Sequence, residues 1–400
     1  MLRLRPAREF RGAALRSFFA GPAGALAGVS TTGAPPTGVE IIPVFAEPSL
    51  ELCRLLREAA NIEHALMVQY LFATFSIKDR YVELAGAPIG GVSSTMLGIA
   101  VQEMKHLATV NDLLVALGAL PNLDREDFPI RSDIYPFALE LEPLSRTSVA
   151  KYVVTESARE NLDPGTAGDE AERRFRLAIA EATEVQSINH LGSLYTAVIA
   201  KIMEATDADP LLLPQREKWI GELEFIRSQG EHAHFGFFRS VFEGTHPAIG
   251  NPTAWDNAGS DIYPSRPFSR NPTAFEGSPN SIANPQPRAL AWLSNLHYWV
   301  VLGLFYISHA EGNRDLIGLA RSHMVSCMHP LGVQLAKENV GMPFDALALN
   351  YGPGTSADGT RAWTRKMVGE LIRFETSVEN LLPSDYMSLT AGTTLEFLKD

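Results

Sequence analysis

From Pro48 to Ile77 the apolar residues recur at Leu52, Leu55, Leu56, Ala59, Ile62, Leu66, Tyr70 and Ala73, a three-and-four spacing that predicts one long amphipathic helix. The same period predicts a helix over Ser93–Leu117, stopped by Gly118 with Pro121 beyond it. Further helices are expected over Glu170–Ala205 and Leu213–Phe242, the second ended by Gly244. Residues 121–145 carry Pro and Asp and read as irregular. The helical period resumes over Pro287–His309, Asp315–Asn339 and Thr360–Leu382, with Tyr351-Gly-Pro-Gly354 as the turn between the last two. No succession of alternating strand segments is found, so the pattern predicts an all-α chain.

Residues 244–288 break the pattern. They hold eight Pro and four Gly among 45 positions and have no period. A loop of that length in a compact domain is usually functional or disordered. Its dispersed aromatics, Trp255, Tyr263, Phe268 and Phe275, give it something to pack with, so a lid or covering arm is expected.

The chemistry sits on the helical stripes. Glu63 lies on the first among Ile62, Ala65, Leu66 and Met67, where a solvated carboxylate fits poorly. Glu103 and His106 lie on the second, Glu231 and His234 on the fourth. A Glu and a His three apart are separated by about 300° and so share one helix face. Carboxylate-bridged di-metal bundles use one Glu from each of two helices and Glu-x-x-His from each of the other two. With 30 Glu and 10 His in 400 residues, chance predicts fewer than one such match, and the chain has three. The third, Glu243-Gly-Thr-His246, sits at a helix end beside glycine and reads as a decoy. His64 and His232 adjoin candidate ligands but point about 100° away, which makes them neighbours rather than ligands.

Charge narrows the function classes. Lys+Arg 34 against Asp+Glu 46 gives −12, which argues against a nucleic-acid partner. Residues 1–39 hold five Arg and one Glu and read as a flexible or targeting-like tail. No window offers about 20 uninterrupted apolar residues. The most apolar stretch, Ala289–Ile307, carries Asn295 and His297 and reads as a buried helix, so no membrane association is expected and the protein is placed in the cytoplasm. Cys53 and Cys327 cannot form a disulfide framework, are too few for a thiolate metal site, and read as small core residues. His297, His309, His323 and His329 lack a Glu three before them and read as core or partner-facing. No P-loop, Gly-x-Ser-x-Gly or Gly-x-Gly-x-x-Gly fingerprint occurs.

Glu63 is followed seven residues later by Tyr70, and here a family resemblance becomes specific. Ile62-Glu-His-Ala-Leu-Met-Val-Gln-Tyr-Leu-Phe-Ala73 is similar to the opening helix of the ferritin-like domain of the iminophenylpyruvate dimer synthase type, a family of bisindole biosynthesis. Gln102-Glu-Met-Lys-His-Leu-Ala108 resembles that family's second helix, and Ser228-Gln-Gly-Glu231 the start of its fourth. Met328-His-Pro-Leu-Gly332 and Tyr351-Gly-Pro-Gly354 resemble the family's segments C-terminal to the bundle, so the likeness spans about residues 48–355.

The resemblance implies a ferritin-like four-helix bundle over 40–243, the 244–288 insertion as its cover, and additional helices over 289–400 packed on it. It implies one metal on Glu63, Glu103 and His106 and another on Glu231 and His234, with Glu103 and Glu231 bridging. One position departs: Leu191-Gly-Ser-Leu-Tyr195 has Ser193 where the third helix would carry Glu. Glu184 could serve instead, His190 could replace the carboxylate, or the second site could be incomplete. His190 is the favoured site-facing residue, on a polar stripe with Gln186, Asn189 and Ser193.

The function implied is a ferritin-like, non-haem metal oxidoreductase of secondary metabolism. It would oxidise or oxidatively couple a small, amino-acid-derived substrate with dioxygen or peroxide. The cofactor would be one or two Fe ions, with Mn or Cu left open. Tyr70, Tyr195 and His190 would serve as proton or hydrogen-bond partners, and the assembly would be a homodimer. The alternatives are an iron-handling or storage relative, which would not need the extra C-terminal helices, and a non-catalytic partner subunit with an incomplete second site.

Overall fold

In this computed structural model the described residues are 41–87, 94–125, 137, 140–158, 161–183, 190–347 and 356–399. The tail at 1–39, the candidate Glu184 with Gln186 and Asn189, and the turn at 351–354 lie outside them.

Helix α1, Pro48–Ser76, starts where Pro48 fixes the first turn and the Glu47 carboxylate accepts from Leu50 N at 2.6 Å. A single turn, α2 (Val82–Ala85), leads to α3 (Met96–Ala116), which Thr95 caps through Gly98 N at 3.1 Å. Gly118, with φ +77°, ends that helix as expected, because only glycine enters the left-handed region without a Cβ penalty. Next come α4 (Arg146–Glu156), α5 (Glu170–Thr183), α6 (Leu191–Ala208) and α7 (Arg216–Ser228). A π-helical turn at Gln229–His234 joins α7 to α8 (Phe235–Phe242). The C-terminal part holds α9 (Pro285–Glu311), α10 (Asp315–His323), a second π turn at Met324–Met328, α11 (His329–Lys337), α12 (Ala357–Ser377) and α13 (Leu389–Phe397). Among the described residues the β structure is limited to two isolated bridges, Ile77–Ser265 and Thr273–Ser281.

The bundle closes as a ring: α1 packs on α3 and α6, α6 on α7, and α7 on α3. Along α1 the core positions Leu52, Leu55, Ala59, Ile62, Leu66, Tyr70 and Ala73 are at most 1% exposed. Burial of one such side chain contributes about 1.5–3 kcal/mol. Two sequence expectations change here. The single helix expected over 170–205 is two, α5 and α6, and His190 occupies the N-cap position of α6 in extended backbone (φ −137°) rather than sitting within a helical stripe. The helix α4 has no counterpart in the expected pattern. Its Val149, Ala150, Tyr152, Val153 and Val154 are all buried, so it has no one-sided stripe to read. What starts it is a capping box between Ser145 and Ser148.

The 244–288 segment is a strap against the C-terminal end of α1. Arg266 N donates to Ser76 O at 2.7 Å, Lys78 N to Pro264 O at 2.9 Å, and Tyr81 OH to Ile262 O at 2.6 Å. Ser265 Oγ donates to Leu144 O at 2.6 Å, while Trp255 and Phe268 enter the core. These contacts lie one to four turns beyond Glu63 and Tyr70, so the segment clamps the helix end.

Helix α9 is long and apolar enough to cross a membrane by composition, but 89% of its most apolar window is buried in the fold. It packs against α10, α11 and α12 and touches α3, in keeping with the buried helix expected there. Its approach to α12 depends on Gly303, where an added Cβ would stand 2.3 Å from Thr364 Oγ1. Gly303→Ala is expected to separate the two helices at a cost of about 1–3 kcal/mol. A lower urea midpoint at unchanged slope would verify this, and an unaltered midpoint would refute the close-packing account.

Candidate metal centre

Glu63 from α1, Glu103 and His106 from α3, Glu156 from the last residue of α4 and His234 from the π turn converge inside the bundle. The two glutamates and His106 form one group whose ligand atoms lie within 4.8 Å of one another, and Glu103, Glu156 and His234 form a second. Glu103 belongs to both. Its Oε2 is 2.9 Å from His106 Nδ1 and its Oε1 is 2.9 Å from His234 Nδ1. The outer carboxylates mirror each other: Glu63 Oε2 stands 3.5 Å from His106 Nδ1, and Glu156 Oε2 stands 3.5 Å from His234 Nδ1.

The surroundings repeat this two-fold arrangement. Tyr195 OH donates to Glu63 Oε1, and Tyr70 OH donates to Glu156 Oε1 at 2.6 Å. Each tyrosine thus occupies one oxygen and leaves the other facing the cluster. Each histidine is braced from the opposite helix. His106 Nε2 meets Gln229 Oε1 at 2.9 Å and His234 Nε2 meets Gln102 Oε1 at 2.7 Å. Donation from Nε2–H to an amide oxygen puts the lone pair on Nδ1, which points at the carboxylates. Gln102 lies four residues before His106 and Gln229 five before His234; the extra residue is absorbed by the π turn, a feature concentrated at functional sites.

A lone pair facing carboxylate oxygens requires a cation between them. Glu63 Oε2, Glu103 Oε1 and His234 Nδ1 are buried and without an aligned hydrogen-bond partner. In the metal-free protein that cation is a proton. Burial would lower the pKa of His234, but Glu103 and Glu156 outweigh it and hold the imidazole up to about 9. Burial likewise opposes charge on His106, and Glu103 and Glu63 raise it well above its ordinary value. Burial would raise Glu103, yet the two imidazoles pull it down, whereas at Glu63 burial dominates and the carboxyl is raised. Burial and Glu63 push the Tyr195 phenol well above its ordinary range, so it stays a donor. This buried set of carboxylates and imidazoles fits divalent transition ions of the iron class.

Of the sequence-derived residues, Glu63, Glu103, His106 and His234 are brought together, with Tyr195 braced on Glu63 and Tyr70 on Glu156. Glu231 belongs to neither three-residue group. Its Oε1 lies 2.2 Å from where a Gly192 Cβ would stand, and His190 Nδ1 lies 2.9 Å from the same point, so these two gather at Gly192. Glu231 borders a narrow cavity of about 10 Å³ with His106, Glu156, Tyr195 and Gly230, room for roughly one water. Sequence reasoning missed Glu156, Gln102 and Gln229 as parts of the site. Ser193 leaves the first turn of α6 without a carboxylate, and Glu156 supplies one from α4. A signal for Glu156 existed only in its apolar run, Tyr152-Val-Val-Thr-Glu156, which places a carboxylate at the end of a buried helix.

A far larger cavity, about 460 Å³, lies between α1, α3 and the C-terminal helices. Met67, Leu71, Met104, Phe305, Met324 and Met328 line it, and Lys105 and Arg321 are its cationic residues. Tyr298 also borders it, and its OH meets the buried His64 Nε2 at 2.6 Å, next to Glu63 in sequence.

Comparison with known proteins agrees with this architecture. Residues 56–213 match the family model described as Ferritin-like. Dichlorochromopyrrolate synthase of Lentzea aerocolonigenes is 26% identical over 353 residues, covering 70% of this chain and 34% of that protein. The 2-imino-3-(indol-3-yl)propanoate dimerase of Chromobacterium violaceum is 25% identical over 276 residues, covering 56% of this chain and 27% of that protein. The chain therefore spans about a third or less of the length of the curated relatives it matches. No solved structure matches it. With the helices closed into a ring around buried carboxylates and imidazoles, this match shows a ferritin-like fold over residues 56–213.

Proposed function

We propose that this chain is a metal-dependent oxidoreductase of secondary metabolism. It would oxidise or oxidatively couple a small aromatic acid derived from an amino acid, with dioxygen or peroxide as oxidant. The observation that carries the reading is the sharing of Glu103 between two histidines, each with its own outer carboxylate. One ion would be held by Glu63, Glu103 and His106, the other by Glu103, Glu156 and His234, with Glu231 and His190 beside them at Gly192. Iron bound there supplies the one-electron steps between substrate and oxidant.

The chain's own residues set the conditions. Gln102 and Gln229 fix the imidazole tautomers, and Tyr70 and Tyr195 hold the outer carboxylates in orientation. The narrow cavity keeps bulk water from the centre, which protects reactive species. The 460 Å³ cavity falls within the size range of small-ligand pockets, its thioether and aromatic walls suit a flat ring system, and Lys105 and Arg321 suit a carboxylate. The named activities of the relatives, a synthase and a dimerase, favour this reading over iron storage.

Glu103→Ala is expected to lose both bound ions, Glu156→Ala one, and Ser193→Ala neither, as measured by elemental analysis of protein loaded under reducing conditions. Full metal retention in Glu156→Ala would remove Glu156 from the centre. Metal uptake must displace the protons held by His106 and His234, whose pKa values are raised in the metal-free state. Affinity should therefore fall, and proton release per ion rise, as pH drops below about 9. Calorimetry in buffers of different ionisation enthalpy measures that release; no release at neutral pH would contradict the electrostatics. Met104→Trp should raise KM for 2-imino-3-(indol-3-yl)propanoate at least several-fold with metal content unchanged. An unaltered KM would move the substrate elsewhere.

A further inference from the structure

A second buried cluster of ligand-type side chains lies among the C-terminal helices, outside the bundle. His297 on α9, His323 at the end of α10 and Cys327 in the π turn Met324–Met328 place their ligand atoms within 4.8 Å of one another. All three residues are 0% exposed. Among the described residues there are two π turns, and each carries a member of a buried ligand cluster: His234 in one, Cys327 in the other. Because π turns interrupt an α-helix at a cost and gather at functional sites, the second calls for the same explanation as the first.

Hydrogen bookkeeping points the same way. Thr394 Oγ1 lies 3.0 Å from Thr390 O and 2.9 Å from His323 Nε2; when it donates to the carbonyl, His323 carries its proton on Nε2 and turns the Nδ1 lone pair inward. The atom it faces, at 2.7 Å, is His297 Nδ1. His297 Nε2 meets Tyr386 OH at 2.6 Å, with the Glu375 carboxylate near the same phenol. If the phenol donates to that carboxylate, His297 Nε2 must be a donor as well, and two Nδ1 lone pairs confront each other beside a thiol sulfur. A carboxylate or hydroxyl on the far ring nitrogen is the usual outer support of a metal-bound histidine.

We propose that His297 Nδ1, His323 Nδ1 and Cys327 Sγ form a further metal site for a borderline-soft divalent ion of the zinc class. Two imidazoles and one thiolate are a donor set for such ions, unlike the all-oxygen-and-nitrogen bundle centre. Binding releases the Cys327 thiol proton to solvent and involves no redox step. With bonds of about 2.0–2.1 Å to tetrahedral zinc, the two nitrogens would stand near 3.4 Å apart, so the rings must open by roughly 0.7 Å from their 2.7 Å separation. The ion would staple α9 to α10 and the π turn, with Thr394 of α13 and Tyr386 as outer partners. The low cysteine count does not bear on this site, because it needs one thiolate.

Cobalt(II) titration of the full reduced chain tests this without any substitution. A thiolate-to-cobalt charge-transfer band in the near ultraviolet, saturating at one equivalent per chain, is expected; its absence would overturn the proposal. The bundle centre has no sulfur ligand and cannot produce that band. Cys53→Ser should keep it and Cys327→Ser abolish it, and the reverse result would also overturn the site. Elemental analysis should find one equivalent of zinc fewer in His323→Phe than in the parent, while Glu103→Ala retains that equivalent. A folded His323→Phe protein with undiminished zinc would leave a hydrogen-bonded chain, Tyr386–His297–His323–Thr394, in place of a metal site.

Discussion

The bundle is organised by a charge that cannot be buried alone. Glu103 is 0% exposed, and each of its oxygens is met at 2.9 Å by a different imidazole. An isolated carboxylate in such a place would be neutralised by a proton, because desolvation costs several kcal/mol. Here the carboxylate stays low and the histidines stay high, each stabilised by the other. A set of alternating acid and base groups in one dry pocket favours cations, and in the metal-free protein these are protons. Everything around the pocket serves to keep those groups aimed at one another.

That aim depends on devices at three levels. The ring α1–α3–α7–α6 fixes the helix axes, and the apolar stripe of α1 fixes which way Glu63 points. The π turn shifts His234 by one residue so that its ring meets Glu103 while Gln229 reaches across to His106. Tyr70 and Tyr195 then take one oxygen of each outer carboxylate. The strap at 244–288 acts further away, pinning the end of α1 through backbone hydrogen bonds from Lys78 and Arg266.

The chain separates two tasks in space. The ligand cluster adjoins a cavity of about 10 Å³, while the large apolar cavity of about 460 Å³ lies on the side of α1 and α3 that the C-terminal helices cover. Helices α9–α11 of this covering layer supply walls of that cavity. The cluster of His297, His323 and Cys327 is one more polar set buried within that layer.

Much of this architecture was legible in the residues themselves. Period and capping determine α1, α3 and the run from α7 through α8 to residue 242, and Gly118 and Gly244 end helices where expected, both with positive φ. The pair spacing of Glu103 with His106 was also local, since residues three apart share a face whatever the fold. Only the tertiary structure decided which carboxylate stands opposite His234. Glu156 comes from a helix buried all round, whose sequence lacks a one-sided stripe, and nothing local links it to a histidine 78 positions later. It likewise moved His190 from a helical stripe to an N-cap and set Glu231 against Gly192. The crossed glutamine braces are of the same kind, being contacts between α3 and the π turn. A helix encodes which of its faces is buried; what that face meets is fixed only when the helices pack.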